Sequence, residues 1–213
     1  MRIESVHIEN LRSIKDQTIE FGDYTCLVGP NGSGKSTILC ALSILFRQTE
    51  DCPTNLTELE EEDFHQKNTA DPITITATFT GVSEDARQDL AHYVRQDQLV
   101  LSAQAHFDPS TGKAIVEQHG QRLVMPQFAP FFEAMKRGAL VPELKGEYQK
   151  CRQGVPDLPA ATTKDTMVNS LSTYEEDHAG ECELTWSGDQ FYGFSRGKNR
   201  LEDHVLWIYV PPV

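Results

Sequence analysis

The segment that most constrains the fold is the octapeptide GPNGSGKS at residues 29–36, which matches G-x-x-x-x-G-K-[ST] without a gap. Such a loop needs a strand that ends before it and a helix that begins within it, so that backbone N–H groups converge on a phosphate. Residues 24–28 predict that strand, and their continuous apolar end is typical of a central strand covered on both faces. Residues 37–46 predict the helix, which is apolar nearly all round and should therefore be buried.

The loop pattern assigns a chemical role to each polar position. We expect Lys35 to reach the β- and γ-phosphates as the catalytic cation, and Ser36 to ligate magnesium through its hydroxyl. Thr37 is placed to contact the phosphate nearest the ribose. The expected cofactors are therefore ATP and Mg²⁺, and the residues expected to bind them within the loop are Asn31, Gly32, Ser33, Gly34, Lys35, Ser36 and Thr37.

Hydrolysis also needs an acidic residue at the end of a hydrophobic strand to complete the magnesium site. The best late strand, residues 205–210, is followed by Pro211-Pro212-Val213 rather than by acids, and the acids at residues 60–63 follow no such strand. The seven histidines are single, without HExxH or HxH spacing, so they predict no metal site. The sequence therefore supports nucleotide binding, whereas hydrolysis would need residues beyond this chain or a second subunit.

Hydrophobic patterning divides the chain into three predicted parts. Residues 1–125 form a β-rich lobe that carries the loop, with strands expected at residues 3–8, 18–21, 24–28, 73–79, 99–107 and 114–118 and a helix at residues 84–96. An acidic connector at residues 50–63 has the composition of a solvated loop or short helix. Residues 126–180 form a helical insertion whose aromatic stripe is typical of packing, and residues 181–213 return to the core as strands.

Composition limits where the chain resides and what it contacts. A formal charge of −13 disfavours a broad, sequence-independent DNA surface, because phosphate binding needs clustered Lys and Arg. The five scattered cysteines lack CxxC pairing, as in a reducing compartment. The N-terminus does not resemble a signal peptide, and no stretch approaches the roughly 18 apolar residues of a membrane span. The sequence therefore predicts a cytoplasmic protein without membrane contact.

The first 46 residues resemble the N-terminus of ATPases with ABC-type heads, the SMC, RecF and OLD (overcoming lysogenization defect) families. The resemblance rests on Asn10-Leu11-Arg12-Ser13, the short strand at residues 19–21, the loop, and the apolar helix. Two further features favour the OLD family: Glu61-Glu62-Asp63-Phe64 after the helix, and a late strand that ends Tyr209-Val210-Pro211-Pro212. Pro212 departs from the alanine usual there. Coiled-coil heptads of an SMC-type arm are absent from residues 126–176.

The resemblance implies an α/β P-loop NTPase of the ABC/SMC-head type, with this chain as its N-terminal lobe and the helical region as an insertion. It implies that Arg12 lies against the bound nucleotide, although a surface salt bridge is an equally simple role for an arginine in a turn. It also implies a homodimer that buries ATP between the loop of one head and the signature motif of the other. The signature, the acidic strand end and a Toprim nuclease would all follow Val213, so the chain is expected to be truncated.

Four functions remain open from the sequence. The first is the ATP- and Mg²⁺-binding part of an OLD-type ATPase that couples ATP to DNA cleavage, for example in anti-phage defence, with DNA contacted elsewhere than on this acidic segment. The second is a RecF- or SMC-like DNA repair ATPase. The third is a regulatory or interaction module that binds ATP without hydrolysing it. The fourth, a small-molecule kinase, suits the β-rich opening and the Asn-Leu-Arg-Ser turn poorly.

Overall fold

The structure is a computed structural model that describes residues 1–47, 57–90, 93–95, 97–186, 201 and 203–208. It divides into two compact units. The first comprises Met1–Gly120 with Gln190–Val213, and the second comprises Gln121–Asp189. Each unit has a hydrophobic core of its own.

An antiparallel sheet dominates the first unit. In chain order its strands are β1 (Arg2–Leu11), β2 (Ile14–Glu20), β3 (Glu58–Leu59), β4 (Ile73–Thr80), β5 (Val94–Arg95), β6 (Gln98–Asp108) and β7 (Lys113–Val124). The main path of the sheet has the spatial order β2-β1-β4-β6-β7-β3. A short strand, β5, pairs with β6 at Val94↔Leu99. The alternation of isoleucine and phenylalanine with threonine along β4 gives a strictly alternating burial pattern, as expected for a strand with one covered face.

Helix α1 (Lys35–Phe46) packs against the covered face of this sheet. Nine of its twelve residues are buried, because α1 is apolar on nearly every side. Its last turn carries Phe46, whose ring lies edge-on to Phe79 of β4 and is stacked on Trp207. The helix is thus covered by the sheet on one side and by the segment that contains Trp207 on another. The short helix α2 (Glu84–Asp89) begins at Ser83, whose hydroxyl accepts from Ala86 N.

The described part of the second unit is built mainly on three α-helices: α3 (Ala129–Lys136), α4 (Val141–Gly154) and α5 (Lys164–Asp177). Phe128, Phe131 and Tyr148 are almost fully buried at its centre, and Met167 and Leu171 of α5 pack against them. The aromatic stripe predicted as packing is confirmed by this core. Strand β8 (Glu183–Trp186) pairs with the last four residues of β7.

Several sequence predictions differ from the structure. No strand forms at residues 24–28, and Tyr24 and Val28 are each 88% exposed, so the prediction of a central strand covered on both faces was wrong. The apolar run has no pairing strand among the described residues, and an apolar run becomes a strand only where a neighbour completes the ladder. Residues 205–208 likewise form no strand, although Val205 and Trp207 pack on the core.

Other predicted elements are shifted. The second strand begins at Ile14 rather than Thr18, so the turn between the first two strands is confined to Arg12 and Ser13. The helix expected at residues 84–96 ends at Asp89, because the chain then turns into β5. Predictions for residues 50–56, 191–194 and 209–210 lie outside the described residues. No helix within the described part of the chain is long and apolar enough to cross a membrane.

Candidate nucleotide-binding site

Two glycines shape the backbone that leads into α1. Gly34 immediately precedes the helix in a left-handed conformation (φ 95°), which a side chain would strain. A Cβ added at Gly29 would lie 2.7 Å from Ser33 Oγ, so any side chain there would force Ser33 to move. No side chain caps the helix N-terminus, and its first turn contains no acidic residue. The first N–H groups of α1 and the positive end of its dipole are therefore available to an anion.

The ammonium group of Lys35 folds back over the loop. Its Nζ donates to the carbonyl oxygens of Gly29 at 2.7 Å and Pro30 at 2.8 Å, with Ser33 Oγ at 3.4 Å. These carbonyls are weak partners for a cation compared with phosphate oxygens, because hydrogen bonds between two charged groups are the stronger kind. The lysine is thus held within the loop by contacts that a polyphosphate can replace.

The other predicted loop residues divide by exposure. Asn31, Gly32, Ser33 and Ser36 are exposed along the loop. Thr37 is buried, and its Oγ1 lies 2.9 Å from Ser13 Oγ, so its hydroxyl is engaged with the turn that follows β1. The structure therefore places Ser36, the expected magnesium ligand, at the surface, whereas Thr37 connects the helix to the Arg12 turn.

The Arg12 turn lies beside the loop. Ser13 Oγ would be 3.4 Å from a Cβ added at Gly34, so the two segments are in close contact. Arg12 has a left-handed backbone (φ 48°), which is uncommon for a residue with a side chain. Its guanidinium is paired with Asp63: Nε and Nη2 approach Asp63 Oδ1 at 2.9 and 2.8 Å. Of the two roles left open for Arg12, the salt bridge is thus present, with a partner 51 residues away.

The segment from Glu60 to Lys67 holds this turn at three further points. Arg12 N donates to Asp63 O at 2.8 Å, and His65 Nδ1 donates to Arg12 O at 2.8 Å. Leu11 and Phe64 form an isolated antiparallel bridge between these contacts. Asp63 itself is buried, and its Oδ2 accepts from Glu60 N at 3.1 Å.

Sequence reasoning missed the role of Asp63 and His65, because the acidic run was interpreted as a solvated connector. That interpretation is right for Glu62, whose exposed carboxylate pairs with Lys67 at 2.9 Å. The hydrogen bond from Lys67 lowers the pKa of Glu62 and in turn raises the pKa of Lys67. The signals for Asp63 were its place in the Glu61-Glu62-Asp63-Phe64 run and its position directly before Phe64, which is itself buried.

Asn10 fixes the first half of the turn. It is buried with a left-handed backbone (φ 57°), and its Nδ2 donates to the carbonyls of Asn68 at 2.9 Å and Asp71 at 2.8 Å. Asparagine tolerates this backbone better than most residues with a side chain. The Asn-Leu-Arg-Ser sequence therefore forms a turn that side chains, rather than the sheet alone, hold in place.

One group of potential metal ligands arises from residues that the sequence left apart. The ligand atoms of His7, Glu9 and Asp16 lie within 4.8 Å of one another on β1 and β2. His7 Nε2 and Asp16 Oδ1 are 2.9 Å apart, and this hydrogen bond accounts for the arrangement without an ion.

Comparison with known proteins places these features in context. Residues 1–173 match the family model described as "AAA ATPase domain". The chain is 26% identical over 122 residues to the "Old nuclease" of Escherichia phage P2, an alignment that covers 54% of this chain and 19% of the phage protein. It is 33% identical over 81 residues to mouse "Structural maintenance of chromosomes protein 1B", covering 37% of this chain and 6% of that protein.

A third relative is the "DNA double-strand break repair Rad50 ATPase" of Methanopyrus kandleri, 53% identical over 49 residues that cover 22% of this chain and 6% of that protein. The chain thus spans a fifth or less of the length of each of these curated relatives. Together they confirm the resemblance to OLD, SMC and RecF-like ATPases, and the mixed α/β structure fits a P-loop NTPase.

Proposed function

Because this chain belongs to the AAA ATPase domain family, we propose that residues 29–37 bind ATP together with Mg²⁺. The observation that carries the proposal is the uncapped N-terminus of α1, over which Lys35 is held by carbonyls that phosphate oxygens can replace. In the complex, Lys35 moves from Gly29 O and Pro30 O to the β- and γ-phosphates, and Ser36 ligates the metal. Asn31, Gly32, Ser33 and Gly34 surround the phosphates, and Arg12 approaches them from its turn.

The proposal extends to the complete protein. We propose that this chain is the N-terminal part of an OLD-type ATPase of the cytoplasm that couples ATP to DNA cleavage, as in defence against phage. The similarity to a protein named a nuclease supports this assignment. In the proposed assembly, two copies join through their ATPase heads and complete each other's sites. DNA is contacted outside this segment, whose charge of −13 disfavours phosphate binding.

Two alternatives have an observation of their own. Similarity to the Rad50 ATPase and to a chromosome-maintenance protein favours a DNA repair ATPase without a nuclease. The second alternative is a module that binds ATP without turnover, since no run of four apolar residues followed by Asp-Glu occurs within residues 1–213. The alternatives differ in whether the purified chain hydrolyses ATP and in whether the complete protein cleaves DNA.

Phosphate release and nucleotide binding, measured on the same purified chain, test the proposal. We expect binding of a fluorescent ATP analogue that is tightened by Mg²⁺, with little phosphate release. Ser36→Ala should remove most of the tightening by Mg²⁺, whereas Ser110→Ala, in the exposed turn before β7, should keep it. Turnover that is lost in Lys35→Ala would rule out the binding-only module. Binding that is equally strong with and without Mg²⁺ would contradict the metal site.

A further inference from the structure

We propose that Asp63 is a positioning residue, which holds the guanidinium of Arg12 where it contacts the phosphates of a bound nucleotide. The inference rests on the proposed function, since it concerns the same site. Asp63 lies outside the loop, and no part of the nucleotide-binding pattern includes it. It acts through Arg12, so its own carboxylate need not touch the ligand.

The geometry of the pair favours orientation over simple charge pairing. Nε of Arg12 donates to Asp63 Oδ1, and Nη2 lies 2.8 Å from the same oxygen, so the carboxylate contacts two nitrogens on one edge of the guanidinium. A guanidinium carries five N–H donors on more than one edge, so this contact is compatible with phosphate binding through another edge. A long arginine side chain loses much conformational freedom when it is fixed, and here that ordering precedes ligand binding.

The carboxylate is itself held in place. The Asp63 side chain is only 12% exposed, whereas that of Arg12 is 35% exposed. The second carboxylate oxygen of Asp63 accepts from the backbone N–H of Glu60, the residue that precedes the single helical turn Glu61–Asp63. An exposed ion pair contributes little because solvent screens it and both side chains move. A carboxylate that is buried and hydrogen-bonded on both oxygens instead presents a fixed acceptor to its partner.

The backbone of Arg12 is fixed by the same segment. Asp63 O accepts from Arg12 N, and Arg12 O accepts from His65, so both peptide groups that flank the left-handed residue are bonded. The turn is then joined to α1 by the contact between Ser13 Oγ and Thr37 Oγ1. Asp63, the Arg12 turn and the first turn of α1 therefore form one connected chain of contacts beside the loop.

If Asp63 acts only through its negative charge, Asp63→Asn should change nucleotide affinity in one direction. If Asp63 positions Arg12, the change should be in the opposite direction. Removing a negative charge next to a polyphosphate site should tighten nucleotide binding if the carboxylate has no other role. If Asp63 orients Arg12, the same change should weaken binding, because the amide oxygen is a poorer partner for the guanidinium. Asparagine preserves the size of the side chain, but its single amide oxygen can accept from the guanidinium or from Glu60 N and not from both, so one of the two contacts is lost.

A double-mutant cycle on nucleotide affinity tests the inference. Titration of the whole chain with Mg-ATP should show binding weakened about tenfold by Arg12→Ala and at least threefold by Asp63→Asn, as for loss of a charge-assisted bond. In the Arg12→Ala background, Asp63→Asn should change affinity less than twofold, because the residue it positions is gone. Glu62→Gln, which removes an exposed carboxylate next in sequence, is the matched control and should weaken binding less than twofold.

Arg12→Lys provides a second measurement that does not alter Asp63. It keeps the positive charge but cannot present the planar edge of a guanidinium to Asp63, and it should weaken binding about as much as Asp63→Asn. Tighter binding by Asp63→Asn, or an equal loss in the presence and absence of Arg12, would overturn the positioning role. Wild-type binding no stronger than that of Lys35→Ala would overturn the proposed function and this inference together.

Discussion

Asn10 holds the first half of the turn before the candidate site through its side-chain amide. Its amide faces two main-chain carbonyls from a segment about 60 residues away. We expect Asn10→Asp to lower the free energy of unfolding by on the order of 3 kcal/mol, because an acceptor then faces two acceptors in a buried position. Urea denaturation of the two proteins measures the difference. The control is Gln17→Glu, which makes the same amide-to-acid change at an exposed position on β2. It should change the free energy of unfolding by less than about 0.5 kcal/mol.

Thiol reactivity separates the cysteines by their burial. Cys26 is exposed, whereas Cys151 is buried, and burial raises the pKa of the Cys151 thiol to about 11. Only the thiolate reacts, so alkylation at pH 8 should modify Cys26 well before Cys151. The folded state keeps a proton on Cys151 that the unfolded state releases near pH 9. Its contribution to stability should therefore be complete below pH 9 and decline as the pH rises towards 11.

Mass spectrometry of peptides from the native, alkylated protein measures this order. Equal rates at Cys26 and Cys151 in the native state would show that the core around Cys151 is not closed. After denaturation the two rates should converge, because the difference arises from the fold.

The α1 element depends on its C-terminal aromatic contacts. Phe46 is stacked on Trp207 with ring centroids 5.7 Å apart and lies edge-on to Phe79 at 6.0 Å. Phe46→Ala should cost about 3–5 kcal/mol of unfolding free energy, since it removes a large buried side chain. Chemical denaturation followed by circular dichroism gives the value. Ile115→Ala, at a side chain that is 64% exposed, is the control, and a loss there as large as at Phe46 would contradict this account of the core.

Elements with local signatures were the ones that sequence could predict. The strand pattern of β4 and the turn at Asp108–Lys113 depend only on residues that are close together in the sequence. Both are present in the structure. The segment at residues 24–28 differs, because being a central strand depends on partners elsewhere, and no described strand pairs with it. The Arg12–Asp63 pair joins residues 51 apart, and neither periodicity nor spacing indicates it. The loop could be identified because its chemistry is contained in eight consecutive residues.

At the scale of the whole molecule, every residue proposed to bind the nucleotide belongs to the first unit. Phe131 lies in the core of the second unit, with its ring 6.2 Å from that of Tyr148. Phe131→Ala should destabilise that unit by about 3–5 kcal/mol, seen as faster proteolysis within residues 121–189. Mg-ATP affinity should remain within twofold of wild type, because every proposed binding residue lies between Arg12 and Thr37. A tenfold loss of affinity would contradict this division of roles.

The central claim is that Lys35 and the loop around it bind Mg-ATP, and isothermal titration tests it most directly. The comparison is between wild type, Lys35→Ala and Lys15→Ala, which removes an exposed lysine from β2. We expect wild type and Lys15→Ala to bind one Mg-ATP per site with similar affinity, and Lys35→Ala to bind at least about tenfold more weakly. Equal affinity of Lys35→Ala and wild type, or no binding by either, would contradict the account.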